Sequence, residues 1–229
     1  MIISHEYRFI FIKTAKTAGT SVEIALSRFC GGQDVVTPVS PEDEVIRREV
    51  GGRGPQHCVV PLWRYGAAEW KRVVYRRKRT SFYNHIPARE IRQYVGRRMW
   101  DGYYKFCFER NPWDRVVSLY HWICRTEPRP AIAEFVQSAA LLGLKGRGFG
   151  AYTIDGMVAV DRVCRYEALE EELESVRLHC GLPERLTLPR AKSSTRSDRR
   201  HYRDILDPDS RDRIASLFAE EIRLFGYAY

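Results

Sequence analysis

Two short apolar stretches, each followed by a tight loop and a helix start, constrain the fold of this chain more than any other feature. The first, at 9–12, leads into Lys-Thr-Ala-Lys-Thr-Ala-Gly-Thr-Ser at 13–21. The second, at 106–108, leads into Glu-Arg-Asn-Pro-Trp-Asp-Arg-Val-Val-Ser at 109–118. A loop that joins a strand to a helix N-terminus presents backbone N–H groups to an anion. Two such loops in 229 residues of net charge +9 predict a ligand with two separate anionic ends.

The order of apolar runs along the chain predicts the fold class. Short buried runs at 7–12 and 103–108 are predicted strands, and a third strand is predicted within 158–166. Helical spacing and helix boundary signals predict helices at 19–28, 42–50, 67–75, 87–95, 112–124, 132–144, 169–180 and 214–225. Strands that alternate with helices indicate an α/β fold with a central, mainly parallel sheet flanked by helices.

Length and composition indicate one domain over 1–229. Residues 35–80 break the pattern with prolines and glycines, and are predicted to be a variable insertion that caps the core. No apolar run approaches the roughly 20 residues of a bilayer span, and the first residues do not resemble a signal peptide. The six cysteines have no Cys-x-x-Cys spacing and are expected to be free thiols. We therefore expect a soluble, cytoplasmic protein.

The loop at 13–21 combines small residues with a cation. Ala18 and Gly19 let backbone amides approach an anion, and Lys16 adds a positive charge. In a nucleoside-triphosphate P-loop the lysine directly follows the last glycine, whereas here Lys16 precedes Gly19. The alternative is that the loop only caps a helix. Three further residues add hydroxyl donors: Thr17, Thr20 and Ser21.

The second loop places Arg110 at the end of a strand, where a guanidinium can bind a phosphate through two hydrogen bonds. Ser118 follows inside the next helix, about 9 Å along its axis from Pro112. The Ser118 hydroxyl and the Arg110 guanidinium can therefore both bind the same phosphate. Alternatively, Arg110 pairs with Glu109 or Asp114, and Ser118 binds nothing.

In this order the motifs resemble those of sulfotransferases that use 3′-phosphoadenosine 5′-phosphosulfate (PAPS), of the family 2 type that includes bacterial and Golgi carbohydrate sulfotransferases. The first loop resembles the family's 5′-phosphosulfate loop, and the second its 3′-phosphate motif. Asn-His-Ile-Pro at 84–87 resembles the His-x-Pro element, and 161–169 resembles the Asp-x-x-x-Arg-x-Glu-x-Leu turn. The closing segment at 200–227 resembles the family's C-terminal helix. The chain departs at 13–15, where Lys-Thr-Ala replaces the more usual His-Ile-Pro.

The resemblance implies a P-loop-like three-layer core, PAPS as co-substrate, no metal, and a bacterial cytoplasmic enzyme. The implied acceptor is a hydroxyl, on a carbohydrate or glycosylated metabolite; a small-molecule alcohol or phenol stays open. Lys16 would stabilise the leaving group, and His85 would be the general base, since imidazole titrates near neutral pH. His57 is the alternative base. The implied donor-binding residues are Lys16, Thr17, Ala18, Gly19, Thr20, Ser21, Arg110, Ser118, Lys192 and Arg196.

A basic cluster between Arg64 and Arg79 is interleaved with Trp63, Trp70 and Tyr75. It is predicted to be either a solvated helix face or a site for an anionic glycan or aromatic acceptor. Together with a pI near 9.4, it also leaves open a nucleic-acid-binding protein. An ATP-binding protein and a non-catalytic glycan-binding relative stay open as well. With both loops present, we expect an enzyme with no nucleic-acid partner.

Overall fold

The computed structural model describes residues 1–189, 198 and 200–229. Its strands are β1 (Ile2–Ser4), β2 (Phe9–Phe11), β3 (Val35–Val36), β4 (Tyr104–Glu109), β5 (Thr153–Ile154), β6 (Met157–Val158) and β7 (Arg162–Arg165). Its helices are α1 (Gly19–Ser27), α2 (Pro41–Glu49), α3 (Ala67–Arg76), α4 (Ala88–Val95), α5 (Arg97–Gly102), α6 (Pro112–Ile123), α7 (Ile132–Val136), α8 (Ala140–Gly146), α9 (Phe149–Tyr152), α10 (Leu169–Cys180), α11 (Pro208–Leu217) and α12 (Ala219–Phe225).

The central sheet has the strand order β3-β1-β2-β4-β7. Strands β2, β4 and β7 are parallel neighbours, whereas β1 is antiparallel to both β2 and β3. All strands of this sheet except β1 therefore run in one direction, which confirms the α/β class with a mainly parallel sheet. Because β2 and β4 pair in parallel, with Phe11 opposite Phe106, the loops that follow them leave the sheet side by side at its carboxyl edge.

Successive side chains of β2 and β4 point to opposite faces of the sheet, so the core has one part on each face. One face packs against α1 and α10 through the four phenylalanines of these strands: Phe9, Phe11, Phe106 and Phe108. Ile10 and Cys107 face the other side, where α4, α5 and α9 cover the sheet. Helix α6 packs with α7, α8 and α11 in a third buried cluster. Both loops therefore start from rigid, covered strands.

The structure differs from the sequence prediction at the first strand and in two helical regions. The strand predicted at 7–12 is shorter in the structure, where β2 begins at Phe9 because Arg8 takes a turn conformation with φ of 51°. Strand β1, which was not predicted, pairs with β2 in antiparallel orientation. The helix expected over 132–144 is two helices, and the Ser138 hydroxyl accepts from the Ala140 N–H at the start of the second. The C-terminal helix divides at buried Phe218, whose φ of −106° leaves the helical range. Apolar spacing continues across both breaks, so the sequence pattern does not reveal them.

Residues 35–80 are joined to the core through β3 and α2. Strand β3 forms the edge of the central sheet beside β1. Helix α2 starts at Pro41 with the Ser40 side chain as its cap and docks through the fully buried Arg47. Helix α3 is largely exposed. Over the residues described, no helix has the length and apolar character needed to cross a membrane.

Candidate active site

A cleft of about 600 Å³ opens at the carboxyl ends of β2 and β4. It is lined by residues from both loops and from the segment before α4. Most of the residues predicted from the sequence line it: Lys16, Ala18, Gly19, Thr20, Ser21, His85, Arg110 and Ser118. The parallel pairing of β2 with β4 thus brings together groups that are about ninety residues apart in the chain.

The first loop ends in a helix N-terminus that faces the cleft. Ala18 occupies the cap position of α1 with φ of 57°, and it makes no side-chain cap hydrogen bond. The first turn of α1 contains no acidic residue. A Cβ on Gly19 would lie 2.9 Å from the Lys13 side chain, so the loop is closed tightly here. The backbone N–H groups at this end can therefore bind an anion in the cleft.

Thr17 serves the loop itself. Its side chain is fully buried, does not line the cleft, and lies 2.8 Å from the Thr14 hydroxyl. Thr14 in turn donates to the Phe108 carbonyl at the end of β4. These bonds fasten the first loop to the neighbouring strand. Thr17, which is predicted from the sequence to bind the donor, therefore supports the loop and does not face the cleft.

Arg110 connects the two loops at the cleft wall. Its Nε and Nη2 donate to Asp114 Oδ2 at 2.9 and 2.6 Å, and its Nη1 donates to the Lys16 carbonyl at 3.2 Å. The guanidinium also lies 4.1 Å from the centre of the Tyr166 ring. The pairing with Asp114 considered from the sequence is therefore present, yet Arg110 and Ser118 still line one cavity. The pairing holds the guanidinium in place at the wall.

His85 is held in the tautomer that a general base requires. Its Nδ1 lies 2.9 Å from the Lys13 carbonyl, which only accepts hydrogen bonds, so Nδ1 carries the proton and Nε2 has a free lone pair. Burial and the nearby Lys13 ammonium lower the pKa of His85 to about 4. The imidazole is therefore neutral at pH 7. His57, by contrast, is exposed, bonds to the Gly32 carbonyl and does not line the cleft.

A buried ion cluster lies beneath the first loop. Glu23 of α1 forms ion pairs with Lys13 Nζ at 2.9 Å, with Arg47 Nη2 at 3.3 Å and with the Met1 amino group at 2.9 Å. Burial alone would raise the pKa of Glu23, but the positive charges beside it, Lys13 and Arg47 among them, lower it to about 2. Lys13, which replaces the more usual histidine, is therefore buried and holds the first loop in place through its ion pair with Glu23.

A second buried pair supports the loop from β4 and α6. Arg115 Nη1 lies 2.6 Å from Glu109 Oε1, while its Nε donates to the Ala15 carbonyl and its Nη2 to the Leu144 carbonyl. A Cβ on Gly148 would overlap this guanidinium, so only glycine fits there. Arg115 therefore fixes the first loop without lining the cleft.

Further residues that sequence reasoning did not select also line the cleft: Lys13, Thr14, Ala15, Asn84, Leu119, Trp122, Arg147 and Tyr166. Trp122 follows Ser118 by one helical turn, and this spacing was a signal that could have identified it. The Lys16 ammonium lies 5.4 Å from its ring centre. Arg147 comes from the end of α8, and no sequence pattern connects it with the loops.

Lys192 and Arg196, predicted from the resemblance, lie outside the described residues. Where the structure describes the chain, no group of His, Cys, Asp and Glu side chains could hold a metal ion.

The part of the chain that carries both loops matches a known protein family. A family model described as "Sulfotransferase family" matches residues 1–145. An uncharacterized protein of Archaeoglobus fulgidus is 39% identical over 126 residues, which are 53% of this chain and 100% of that protein. No solved structure matches the chain.

Proposed function

The chain belongs to the sulfotransferase family, and on that premise we propose that it moves the sulfuryl group of PAPS to an acceptor hydroxyl. The observation that carries the proposal is that the two loops predicted to bind anions follow adjacent parallel strands and line one cleft. A donor with a 5′-phosphosulfate and a 3′-phosphate has the two anionic ends that such a cleft requires. The proposed fold is P-loop-like, with the sheet as the middle of three layers.

The 5′-phosphosulfate is proposed to bind at the first loop. The uncapped N-terminus of α1 offers backbone N–H groups from 18–20, and the Ser21 hydroxyl lies in the same turn. Lys16 adds the charge that stabilises the bridging oxygen as it leaves. The 3′-phosphate is proposed to bind Arg110 and Ser118, with Lys192 and Arg196 as proposed further contacts.

The proposed reaction is an in-line displacement at sulfur. The acceptor oxygen forms a bond to sulfur while the bond from sulfur to the bridging oxygen breaks, releasing 3′,5′-adenosine bisphosphate. The proton of the acceptor hydroxyl passes to Nε2 of His85. Nε2 is free to accept it because the hydrogen bond to the Lys13 carbonyl holds the ring proton on Nδ1. The protein's contribution is to position the reactants and to stabilise the developing charge, and the proposal requires no metal ion.

The proposed acceptor is a hydroxyl on a carbohydrate or glycosylated metabolite, as the resemblance implies. The range 35–80 is proposed as an acceptor-side cap of a single domain over 1–229. The acceptor class is tested by a panel of glycosides and of simple alcohols and phenols, each assayed for bisphosphate release.

Calorimetric titration with 3′,5′-adenosine bisphosphate, AMP and ATP tests the donor site. The bisphosphate is expected to bind more tightly than AMP in the wild type, because only it reaches Arg110. Arg110→Ala and the milder Ser118→Ala are expected to remove this preference, whereas Arg185→Ala, at an exposed position, keeps it. Absence of any preference for the 3′-phosphate in the wild type would contradict the proposal and favour an ATP- or nucleic-acid-binding protein.

A further inference from the structure

The proposed acceptor-side cap at 35–80 does not explain the charge of its most basic part, residues 61–79, here called the basic–aromatic segment. It contains one carboxylate, Glu69, and seven cations, so it holds +6 of the chain's net charge of +9. The cations are Arg64, Lys71, Arg72, Arg76, Arg77, Lys78 and Arg79. Among the ion pairs of the described residues, none includes one of these seven side chains. Their charge is therefore directed outward.

Helix α3, the centre of this segment, exposes its apolar side chains. It docks through buried Glu69, which accepts from the Gly66 N–H and the Tyr94 hydroxyl. At 100° per residue, Val74 and Tyr75 lie on the side opposite Glu69. They are 69% and 82% exposed. A surface helix ordinarily turns its apolar stripe toward the core, so this outward arc indicates a partner outside the chain.

Aromatic residues with polar tips are exposed in the same segment. Trp63, in the 3₁₀ turn before α3, is 82% exposed, and Trp70 is 46% exposed. Trp and Tyr prefer the boundary between lipid and water, where the ring is apolar and the polar tip stays hydrated. Three of the seven cations lie on α3 and the other four lie in the residues next to it. Clusters of four to eight Lys and Arg on or beside an amphipathic helix are typical of binding to anionic headgroups.

The combination distinguishes a membrane surface from a soluble polyanion. A nucleic acid or sulfated glycan would use the cations and stack on the aromatic rings, but it gives no environment for the exposed aliphatic Val74. A lipid interface uses all three groups, and α3, about 15 Å long, would lie flat on it. We propose that the basic–aromatic segment binds the surface of membranes that contain anionic phospholipids, with Trp63, Val74 and Tyr75 entering the headgroup region.

The test is sedimentation of the full chain with vesicles of phosphatidylcholine alone or with about one third phosphatidylglycerol. Binding is expected only to the anionic vesicles and is expected to weaken with salt. Lys71→Gln with Arg77→Gln should weaken it about 30-fold, since each cation near an anionic surface contributes about fivefold and Lys71 lies between Val74 and Tyr75 on the outward side of α3. Removal of two exposed cations elsewhere, Arg185→Gln with Arg223→Gln, should have little effect.

The apolar contribution is tested separately by Val74→Ser with Tyr75→Ser. The matched control is Leu142→Ser with Leu178→Ser, which removes two leucines of similar exposure on other helices. The first pair is expected to lose vesicle binding and the second to keep it. In the wild type, tryptophan emission is expected to shift to the blue on anionic vesicles, and Trp63→Phe should reduce that shift.

Two results would overturn the proposal. One is absence of binding to anionic vesicles. The other is binding that the Val74 and Tyr75 substitutions leave unchanged, together with equal affinity for an RNA oligomer or heparin, because this would identify a soluble polyanion as the partner. Binding of 3′,5′-adenosine bisphosphate is measured in every variant as a check of folding. It does not involve this segment, so the two proposals fail independently.

Discussion

The cations around the cleft and those of the basic–aromatic segment differ in how they are partnered inside the protein. Lys13 and Arg115 are buried, and each lies within 3 Å of a carboxylate that is itself buried. Arg76 and Arg77 are exposed at the end of α3. The first group sets the geometry of a loop, whereas the second is directed to something outside the chain. Substitutions in the first region should therefore change stability or turnover, and those in the second only external binding.

The largest expected effect separates His85, the predicted general base, from His57, the alternative. His85→Ala is expected to lower kcat by about 10² to 10⁴-fold, because the acceptor hydroxyl loses its base. His57→Ala should leave kcat unchanged, since this exposed side chain lies outside the cleft. Steady-state kinetics with saturating PAPS measures both. Bisphosphate affinity should stay close to wild type in each variant, and unchanged turnover in His85→Ala would remove it from the mechanism.

The pH profile of kcat/KM sharpens the same comparison. Burial and Lys13 lower the pKa of His85 to about 4, so the active neutral form persists well below the ordinary histidine range. Activity is therefore expected to fall only as the pH drops through about 4. An acidic limb near 6.5, absent in the variant that lacks the responsible histidine, would instead identify a solvated base.

The next largest effect is expected at the ion cluster beneath the first loop. Glu23→Gln leaves Lys13 and Arg47 buried without their shared carboxylate, and it should cost about 3–5 kcal/mol of unfolding free energy. Urea unfolding measures the loss. The exposed carboxylate Glu6 is the matched control, and Glu6→Gln should change stability by less than about 0.5 kcal/mol. Equal effects at the two positions would show that the buried cluster does not stabilise the fold.

A smaller effect is expected at the residue that holds the loop from below. Arg115→Lys keeps the charge beside Glu109 but cannot also donate to the Ala15 and Leu144 carbonyls. Of these two bonds, the one to Ala15 holds the first loop, so we expect about tenfold weaker bisphosphate binding, corresponding to the loss of one hydrogen bond from a charged donor. Calorimetry measures this, and Arg177→Lys, in a pair far from the loops, is the control. Unaltered affinity would mean that the loop keeps its shape without Arg115.

The smallest effect is expected in the basic–aromatic segment. Arg76→Gln with Arg77→Gln should leave the free energy of unfolding within about 0.5 kcal/mol of wild type, because both side chains are exposed. Donor affinity should also be unchanged. If the acceptor KM rises in this variant, the segment binds substrate, as the sequence also allowed. A large loss of stability would mean that these cations, like those around the cleft, hold the fold together.

Local signals made much of this fold predictable. The Asn111 cap and Pro112 mark the start of α6, and the structure confirms both. Helices α1, α4 and α10 begin and end within about one residue of the predicted bounds. Strand β1 was missed because three residues carry too little pattern, and the break at Phe218 was missed because its burial keeps the apolar spacing intact.

The sequence determined the two loops by itself, because an apolar strand, small residues and a helix start are properties of neighbouring residues. It also supplied the residue types that the family resemblance required. Only the tertiary structure decided that the loops share one cleft, that His85 rather than His57 faces it, and that Lys13 in the cleft wall pairs with the buried Glu23. These outcomes depend on the pairing of β2 with β4 and on burial, which arise from contacts between residues that are far apart in the chain.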